Sequence, residues 1–516
     1  MKLKLVSALL ASCAICISAP AFAQTAPPAA DAAPEPTEPD PSDAAADATI
    51  ANAQAVDEAS AKIELMQQQI EALQNSIEQM KTSMVKTTPS WKGGPQYDDK
   101  DAGFSFKPKG LLQYDAGFVG FPNGDERRGT VAGLNFGNLG WNTRARRLTI
   151  GADGSLPGGF RYSAEFNFAQ ATVDFEDVLL AYDFKSSPLT AQIGYFYPFA
   201  SLETMTSSKY TSFMERAGMT DAFSHNRRIG AALVANDKKA DQWVFQAGIF
   251  SEEMNANDFN RTGWDAAIRG VYSPTLGNIR LHLGANYEHR VNKKEAQSRN
   301  YQSRPMTQLT DQRFVSTGAL SAKGDDIAGL EVAAIMKQFH FAAEAQKVWV
   351  NGTYTSAEQT AINLDPTTNT TPNGTALNGD PSFWGGYAEL GFYLTGETRA
   401  YKGGSFGRVK VLHPFNDGGW GAFQINGRVD YLNLNDDVDG ASASLAAPFY
   451  VNGGKQVAYQ VSGIWNPTDY VRFMAQYSHI NVTGGPRNAL SDDLTDPVNK
   501  RKFNSDVVTM RAQIDF

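Results

Sequence analysis

The sequence predicts an all-β chain, a 16-stranded antiparallel transmembrane β-barrel preceded by an N-terminal coiled-coil helix, and three observations carry that expectation. Residues Asp506 to Phe516 set Val508, Met510, Ala512, Ile514 and Phe516 on one parity and Thr509, Arg511, Gln513 and Asp515 on the other. Successive side chains of a strand point to opposite faces, so this segment is apolar outside, polar inside, and ends on an aromatic. Between Gly103 and Phe516 alternating runs recur, joined by short turns and long polar segments in alternation. Past the N-terminal leader no run approaches the ~18 apolar residues of a membrane helix. Lipid cannot hydrogen-bond a free sheet edge, so a spanning sheet of this kind must close on itself.

At the N-terminus, Lys2 and Lys4 precede the apolar run Leu5 to Ile17, and Ala21-Phe22-Ala23 offers small residues at the positions that define cleavage. Residues 1–23 therefore read as a secretory signal peptide. Leu10-Ala11-Ser12-Cys13 also resembles a lipoprotein cleavage box, which would leave Cys13 lipidated. Both cysteines, Cys13 and Cys16, lie in this leader, so cleavage after Ala23 leaves no thiol and excludes zinc thiolate sites and cysteine nucleophiles. Residues 24–50 are rich in Ala, Pro, Asp and Glu, with Ile50 the one large apolar residue, and read as a disordered linker.

Within 51–88, Val56, Ala59, Ile63, Met66, Ile70, Leu73, Ile77, Met80 and Met84 recur at spacings of three and four. That predicts about four heptads of self-associating coiled coil. Ile or Val at one seam position with Leu or Met at the other leans toward two strands, but Met specifies weakly. The barrel is expected to set the stoichiometry.

The net charge of -9 divides unevenly. Residues 24–90 hold 11 acidic and 3 basic residues, while the barrel from Trp91 onward holds 44 and 41 and is nearly neutral. Mean hydropathy is -0.36 although 42% of residues are hydrophobic, as expected where lipid-facing and lumen-facing positions alternate.

In the barrel region, 103–516, short turns fall at Leu156 to Gly159, Ser186 to Pro188, Asn236 to Lys239, Pro274 to Gly277, Lys337-Gln338 and Asn466 to Asp469. Long polar segments run from Phe121 to Gly140, Pro198 to Asn226, Glu252 to Thr262, Val291 to Asp326, Asn351 to Ser382, Asn435 to Gly453 and Thr483 to Asn504. Short periplasmic turns against long external loops is the outer-membrane pattern, and the runs count to 16 with both termini periplasmic. Two places strain the count: the connection near Ala171 is short and Gly396 to Gly418 is long, so 18 strands is an alternative.

Register places Arg147, Arg161, Arg269, Arg280, Arg428, Arg472 and Arg511 on the polar parity with Glu165, Asp265, Glu288, Asp430 and Asp515. Some must form ion pairs that keep the wall polar, and a basic subset at the narrowest level would favour anions. That level is expected in the segment after Tyr197, where Glu203, Lys209, Glu215, Arg216, Arg227 and Arg228 accompany Phe199, Phe213 and Phe223. A loop with its own apolar anchors folds back and packs, so this segment reads as a constriction loop.

Several motifs lie along the barrel region: Gly194 to Phe196 with Pro198-Phe199 and Ser201-Leu202-Glu203, Phe213-Met214-Glu215-Arg216, Arg228-Ile229-Gly230, Tyr393 to Glu397 with Arg399 and Tyr401, Gly421-Ala422 leading to Arg428 and Leu434-Asn435-Asp436, and Trp465-Asn466-Pro467. Through them the chain resembles the phosphate-selective porins O and P over about Gly103 to Phe516. The resemblance implies a homotrimer of 16-stranded channels passing small anions, with phosphate the family substrate. Tyr197 stands where the family usually carries a lysine, with one residue fewer before Pro198.

No enzyme is expected. The six histidines, His225, His282, His289, His340, His413 and His479, show no metal-ligand spacing, and neither a Gly-x-Ser-x-Gly elbow nor a phosphate-cradling glycine loop occurs. Asn435, Asp437, Asp439 and Gly440 imitate a calcium loop, but Ala446 occupies the position that needs a bidentate Glu. The expected function is passive diffusion of small hydrophilic solutes, preferably anions. A non-selective general porin is one alternative, and an envelope tether gripping peptidoglycan through the coiled coil is another. No cofactor and no nucleic-acid partner is expected, and outer-membrane lipids are the surrounding solvent.

Overall fold

A computed structural model describes residues 56–78, 90–91, 95–99, 101–124, 139–169, 172–224, 226–251, 262–365, 367, 370–436, 451–491 and 493–516. The expected signal peptide with Cys13, the linker 24–50, residues 51–55 and 79–88 of the expected coiled coil and most of the calcium-loop mimic after Asp436 lie outside them. The chain divides into a unit through Thr82 and a unit from Ser83 onward. In the first, residues 56–78 form helix α1. Its Val56, Ile63, Met66, Ile70, Leu73 and Ile77 are all exposed.

The second unit is a closed antiparallel barrel of 16 strands. They are β1 Phe104–Val119, β2 Gly140–Leu156, β3 Phe160–Asn167, β4 Asp174–Asp183, β5 Leu189–Phe196, β6 Arg228–Asn236, β7 Trp243–Ser251 and β8 Trp264–Tyr272. They continue as β9 Ile279–Val291, β10 Leu320–Met336, β11 Phe339–Thr353, β12 Ser382–Tyr393, β13 Ala422–Asp436, β14 Val451–Thr468, β15 Val471–Thr483 and β16 Lys502–Asp515. Each pairs with its sequence neighbour, and β16 closes on β1 with Arg511 opposite Asp115 and Gln513 opposite Gln113. The strand count is 16 rather than 18. The six-residue connection 168–173 suffices because β3 and β4 are short, and the long connection 394–421 contains a small hairpin, Tyr401–Lys402 with Ser405–Phe406, instead of two further barrel strands.

Alternation holds along most of the wall. On β16 the positions from Lys502 to Asp515 are exposed and buried in strict turn, Val508, Met510, Ala512 and Ile514 facing out. Tight turns sit where glycine or a left-handed backbone permits them: Gly158 and Gly159 have φ of 89° and 96° between β2 and β3, and Lys337 has φ 51° between β10 and β11.

Two bulges break the alternation. Opposite Gln113 and Tyr114 the register skips a residue, so Arg146 is extra on β2 and joins Arg147 inside. Opposite Glu165 the register skips again, so Glu176 and Asp177 on β4 both line the interior. A bulge sets two residues of one strand against one of its partner, which is how neighbours in sequence come to share a face.

The lumen is not an open tube. Ile327, Ala342, Val348, Val350, Phe383, Leu432, Ala458, Ile480 and Phe503, inward positions of β10 to β16, form one apolar core with Leu202, Ala217, Met219 and Phe223 from segment 197–227 and Tyr301, Met306, Leu309, Phe314 and Val315 from segment 292–319. Along this arc the barrel is thus packed against its own loops as a soluble domain would be.

Candidate functional site

Segment 197–227 begins at the end of β5 and crosses the barrel. Its entry is fixed by an aromatic trio: Phe196 and Phe199 pack on Phe250 at centroid separations of 5.3 and 6.0 Å. The three anchors Phe199, Phe213 and Phe223 are at most 2% exposed. Two single-turn helices follow, α2 Leu202–Met205 and α3 Gly218–Phe223.

The opposite wall receives this segment with acceptors for its free N–H groups. The Glu344 carboxylate accepts from the amides of Leu202 and Glu203, both at 2.8 Å, and from the Tyr387 hydroxyl at 2.6 Å. Asp430 accepts from the Gly218 amide at 2.8 Å and the Gln476 side chain from the Met214 amide at 2.8 Å. Helix starts leave amides without intrahelical partners, so carboxylates are suited to hold them. Glu203 turns into the loop itself, accepting from the Ala217 amide at 2.9 Å, Thr220 at 2.7 Å and Arg428 at 2.8 Å.

Segments from both barrel ends complete the filling. From the long-loop end, the Arg304 amide donates to Asp221 at 2.8 Å, and Asn142 reaches the Leu309 carbonyl at 2.6 Å. From the short-turn end, Arg399 donates to the Tyr210 carbonyl at 2.5 Å and the Phe406 amide to the Thr206 hydroxyl at 3.2 Å.

What remains is an eccentric cavity of about 990 Å³ between the loop and strands β1 to β5. Its charged lining is Lys109, Arg146, Arg147, Lys209, Arg216, Arg227 and Arg304 against Asp153, Glu165, Asp174, Glu176, Asp177, Glu215 and Asp221. The formal charges balance, but the pairing does not. Lys109 lies 2.7 Å from Asp153 and 3.1 Å from Glu165, Arg146 holds Glu215 at 2.9 Å, Arg304 holds Asp221 at 3.6 Å, and Arg227 is gripped by Glu176 and by Asp177 at 2.6 Å. Arg147, Lys209 and Arg216 have no ion-pair partner among the described residues. Arg147 donates to the Gln113 side chain at 2.7 Å and Arg216 to the Thr204 carbonyl at 3.1 Å. Asp174 is the one lining carboxylate likewise without an ion-pair partner among them.

Tyr197 sits at the rim of this cluster. The Arg227 guanidinium lies 4.3 Å and that of Arg216 5.4 Å from its ring centre. Burial pushes the phenol up, but Arg227 and Arg216 outweigh it and bring it down to about 8. Glu215 behaves alike: burial disfavours its charge, while Arg146 and Arg511 hold the carboxylate well below its usual range.

The expected site residues therefore separate. Lys209, Glu215, Arg216, Arg227 and Arg147 line the cavity. The others pair elsewhere: Arg161 with Asp183 at 2.5 Å, Arg228 with Asp265 at 2.7 Å, Arg269 with Glu331 at 2.7 Å and Arg280 with Asp241 at 3.3 Å. Arg428 lies between Glu203 and Glu389, and Arg511 holds Asp115 at 2.7 Å and Glu215 at 2.8 Å. Arg472 donates to the Lys209 carbonyl at 2.8 Å. An inward arginine on a wall covered by a folded-in loop meets that loop or a neighbouring carboxylate instead of water. Parity reasoning overlooked Arg146, Glu176 and Asp177, whose signal was a like-charge run inside a strand, Arg144-Ala145-Arg146-Arg147 and Glu176-Asp177.

No group of three or more His, Cys, Asp or Glu that could hold a metal ion occurs among the described residues. The family model described as phosphate-selective porin O and P matches residues 127–516. An uncharacterized protein of Caulobacter vibrioides is 33% identical over 446 residues, covering 84% of this chain and 78% of that protein. Porin O of Pseudomonas aeruginosa is 26% identical over 444 residues, covering 80% and 90%. Among solved structures, OmpT of Vibrio cholerae is similar at a TM-score of 0.44 and 10% identity, covering 80% of this chain and 98% of that one. An anion-selective porin from Comamonas acidovorans follows at 0.43 and 9%, covering 80% and 100%.

Proposed function

Because the chain belongs to the phosphate-selective porin O and P family of outer-membrane channels, we propose that it passes small hydrophilic solutes, preferably anions such as phosphate, by passive diffusion. The observation that carries the preference is the set Arg147, Lys209 and Arg216, cations that line the cavity with no carboxylate engaged. At 4 Å two unit charges interact by about 1 kcal/mol in water and about 4 kcal/mol near a protein surface. Three uncommitted cations therefore raise the local concentration of anions even where the lining as a whole is charge-balanced. The remaining lining pairs keep the wall wet and neutral.

The working unit is a homotrimer with the long loops outside and α1 in the periplasm. Strands β3 to β8 have 8 to 10 residues, whereas β9 to β16 have 12 to 18. Spanning strands need ~9–11 residues, so the short wall is at or below the minimum and is suited to cover by a second copy. The exposed apolar stripe of α1 supports a coiled coil in the same assembly.

The deciding experiment is the zero-current potential of the purified protein in planar bilayers under a chloride gradient, with phosphate then titrated in. Anion-side reversal with phosphate block at submillimolar concentration is expected. Reversal toward the cation side ends the anion reading. Anion preference without phosphate block leaves a general anion porin, and no preference leaves the non-selective one.

A further inference from the structure

A second and much smaller void lies below the constriction loop, where it meets segment 394–421 and strands β12 to β16. Its volume is about 20 Å³, and Lys209 lines both it and the main cavity. Arg399 and Arg472 also line it, at 4% and 6% exposure.

Both arginines use their terminal nitrogens on the loop. Arg472 donates to the carbonyls of Lys209 and Thr211 at 2.8 and 2.5 Å, and Arg399 to that of Tyr210 at 2.5 Å. Their Nε–H groups have no acceptor among the described residues, and neither does the fully buried Tyr393 hydroxyl on the same void. The carboxylates beside them are engaged: Asp515 by Arg408 and by Gln513 at 2.9 Å, Asp469 by the Val411 amide at 2.8 Å. Three unpaired donors thus converge where four cations, Lys209, Arg399, Arg408 and Arg472, stand against two carboxylates.

We propose that this void is a structural binding site for one small monatomic anion of the halide class. Its volume exceeds the ~10–15 Å³ that a single water-sized sphere needs but leaves no room for a tetrahedral oxyanion. A water molecule fits by size, yet it leaves the excess of four cations over two carboxylates uncompensated. An anion answers both the unpaired donors and the repulsion between the guanidinium groups. Because the same arginines hold three consecutive loop carbonyls, the ion fixes the lowest point of the constriction loop. This site is separate from the passage and does not depend on the passage preferring anions.

The test is anomalous diffraction from bromide-soaked crystals of the full-length protein, with thermal unfolding in detergent under chloride or gluconate at equal ionic strength. A discrete bromide peak bounded by Arg399, Arg472 and Tyr393 is expected, with an unfolding midpoint that rises in chloride and not in gluconate. Tyr393→Phe removes one donor and leaves the loop clamps, so the half-saturating halide concentration should rise about tenfold, the loss of one charge-assisted hydrogen bond. Water density in the void, equal stabilisation by both anions, or a peak undiminished in Tyr393→Phe and matched by peaks at surface lysines, an adventitious ion only, would each overturn the proposal.

Discussion

At the scale of single residues, the cavity separates cations without an ion-pair partner among the described residues, Arg147, Lys209 and Arg216, from cations held in pairs. Arg147→Ala and Arg216→Ala each remove a charge with no carboxylate to orphan. Each should lower the chloride-to-potassium permeability ratio by a factor of about two to five with the unfolding temperature nearly unchanged, as paired zero-current and thermal measurements will check. Glu331→Ala should do the reverse, because it strands Arg269, which is 1% exposed. Breaking a buried pair costs about 3–5 kcal/mol, so the unfolding temperature should fall while permeability holds. Tyr197 adds a pH dependence. Its phenol is neutral below about 8 and anionic above, so anion preference should decline between pH 7 and 9 in the native protein and stay flat in Tyr197→Phe. Arg147 was legible in the sequence because alternation is a property of the strand itself. Arg146 was not, since a bulge cancels the rule that parity depends on.

At the scale of elements, segment 197–227 is held by acceptors that lie far away in the chain. The sequence marked the loop through Phe199, Phe213 and Phe223, whose apolarity in a polar segment needs no partner to be noticed. It could not show Glu344, more than 140 residues distant from the amides of Leu202 and Glu203 that it receives. Glu344→Ala leaves two backbone donors and the Tyr387 hydroxyl without that acceptor, at about 1–3 kcal/mol for each orphaned group. The expected outcome is a folded barrel with larger and noisier single-channel currents, seen in bilayer recordings. Unchanged conductance would show that the loop is held by its apolar contacts alone. Deleting Arg146 tests the bulge: plain alternation returns, Glu215 loses one of its two guanidinium partners, and conductance should change without loss of the barrel.

At the scale of the molecule, the strand number, the closure of β16 on β1 and the unequal lengths of turns and loops were all readable, because each follows from period two and from the need to satisfy every backbone group in lipid. The apolar filling was not, although β11 carried a hint in Val348-Trp349-Val350, an uninterrupted apolar run of the kind expected where a strand is buried on both faces. If the barrel fixes the stoichiometry, removing residues 56–78 should leave a trimer of unchanged conductance by native mass spectrometry and bilayer recording. A shift to monomers would move that role to the helix. The packed core on β10 to β16 has a consequence for how such a chain can diversify. The apolar core lies on one arc of the barrel and the charged cavity on the other, so under the proposed function substitutions on β1 to β5 should retune what is admitted while the packed arc stays untouched. On that reading a frame of this kind can be re-specialised for new solutes by a few changes at a time, each screened for permeability alone.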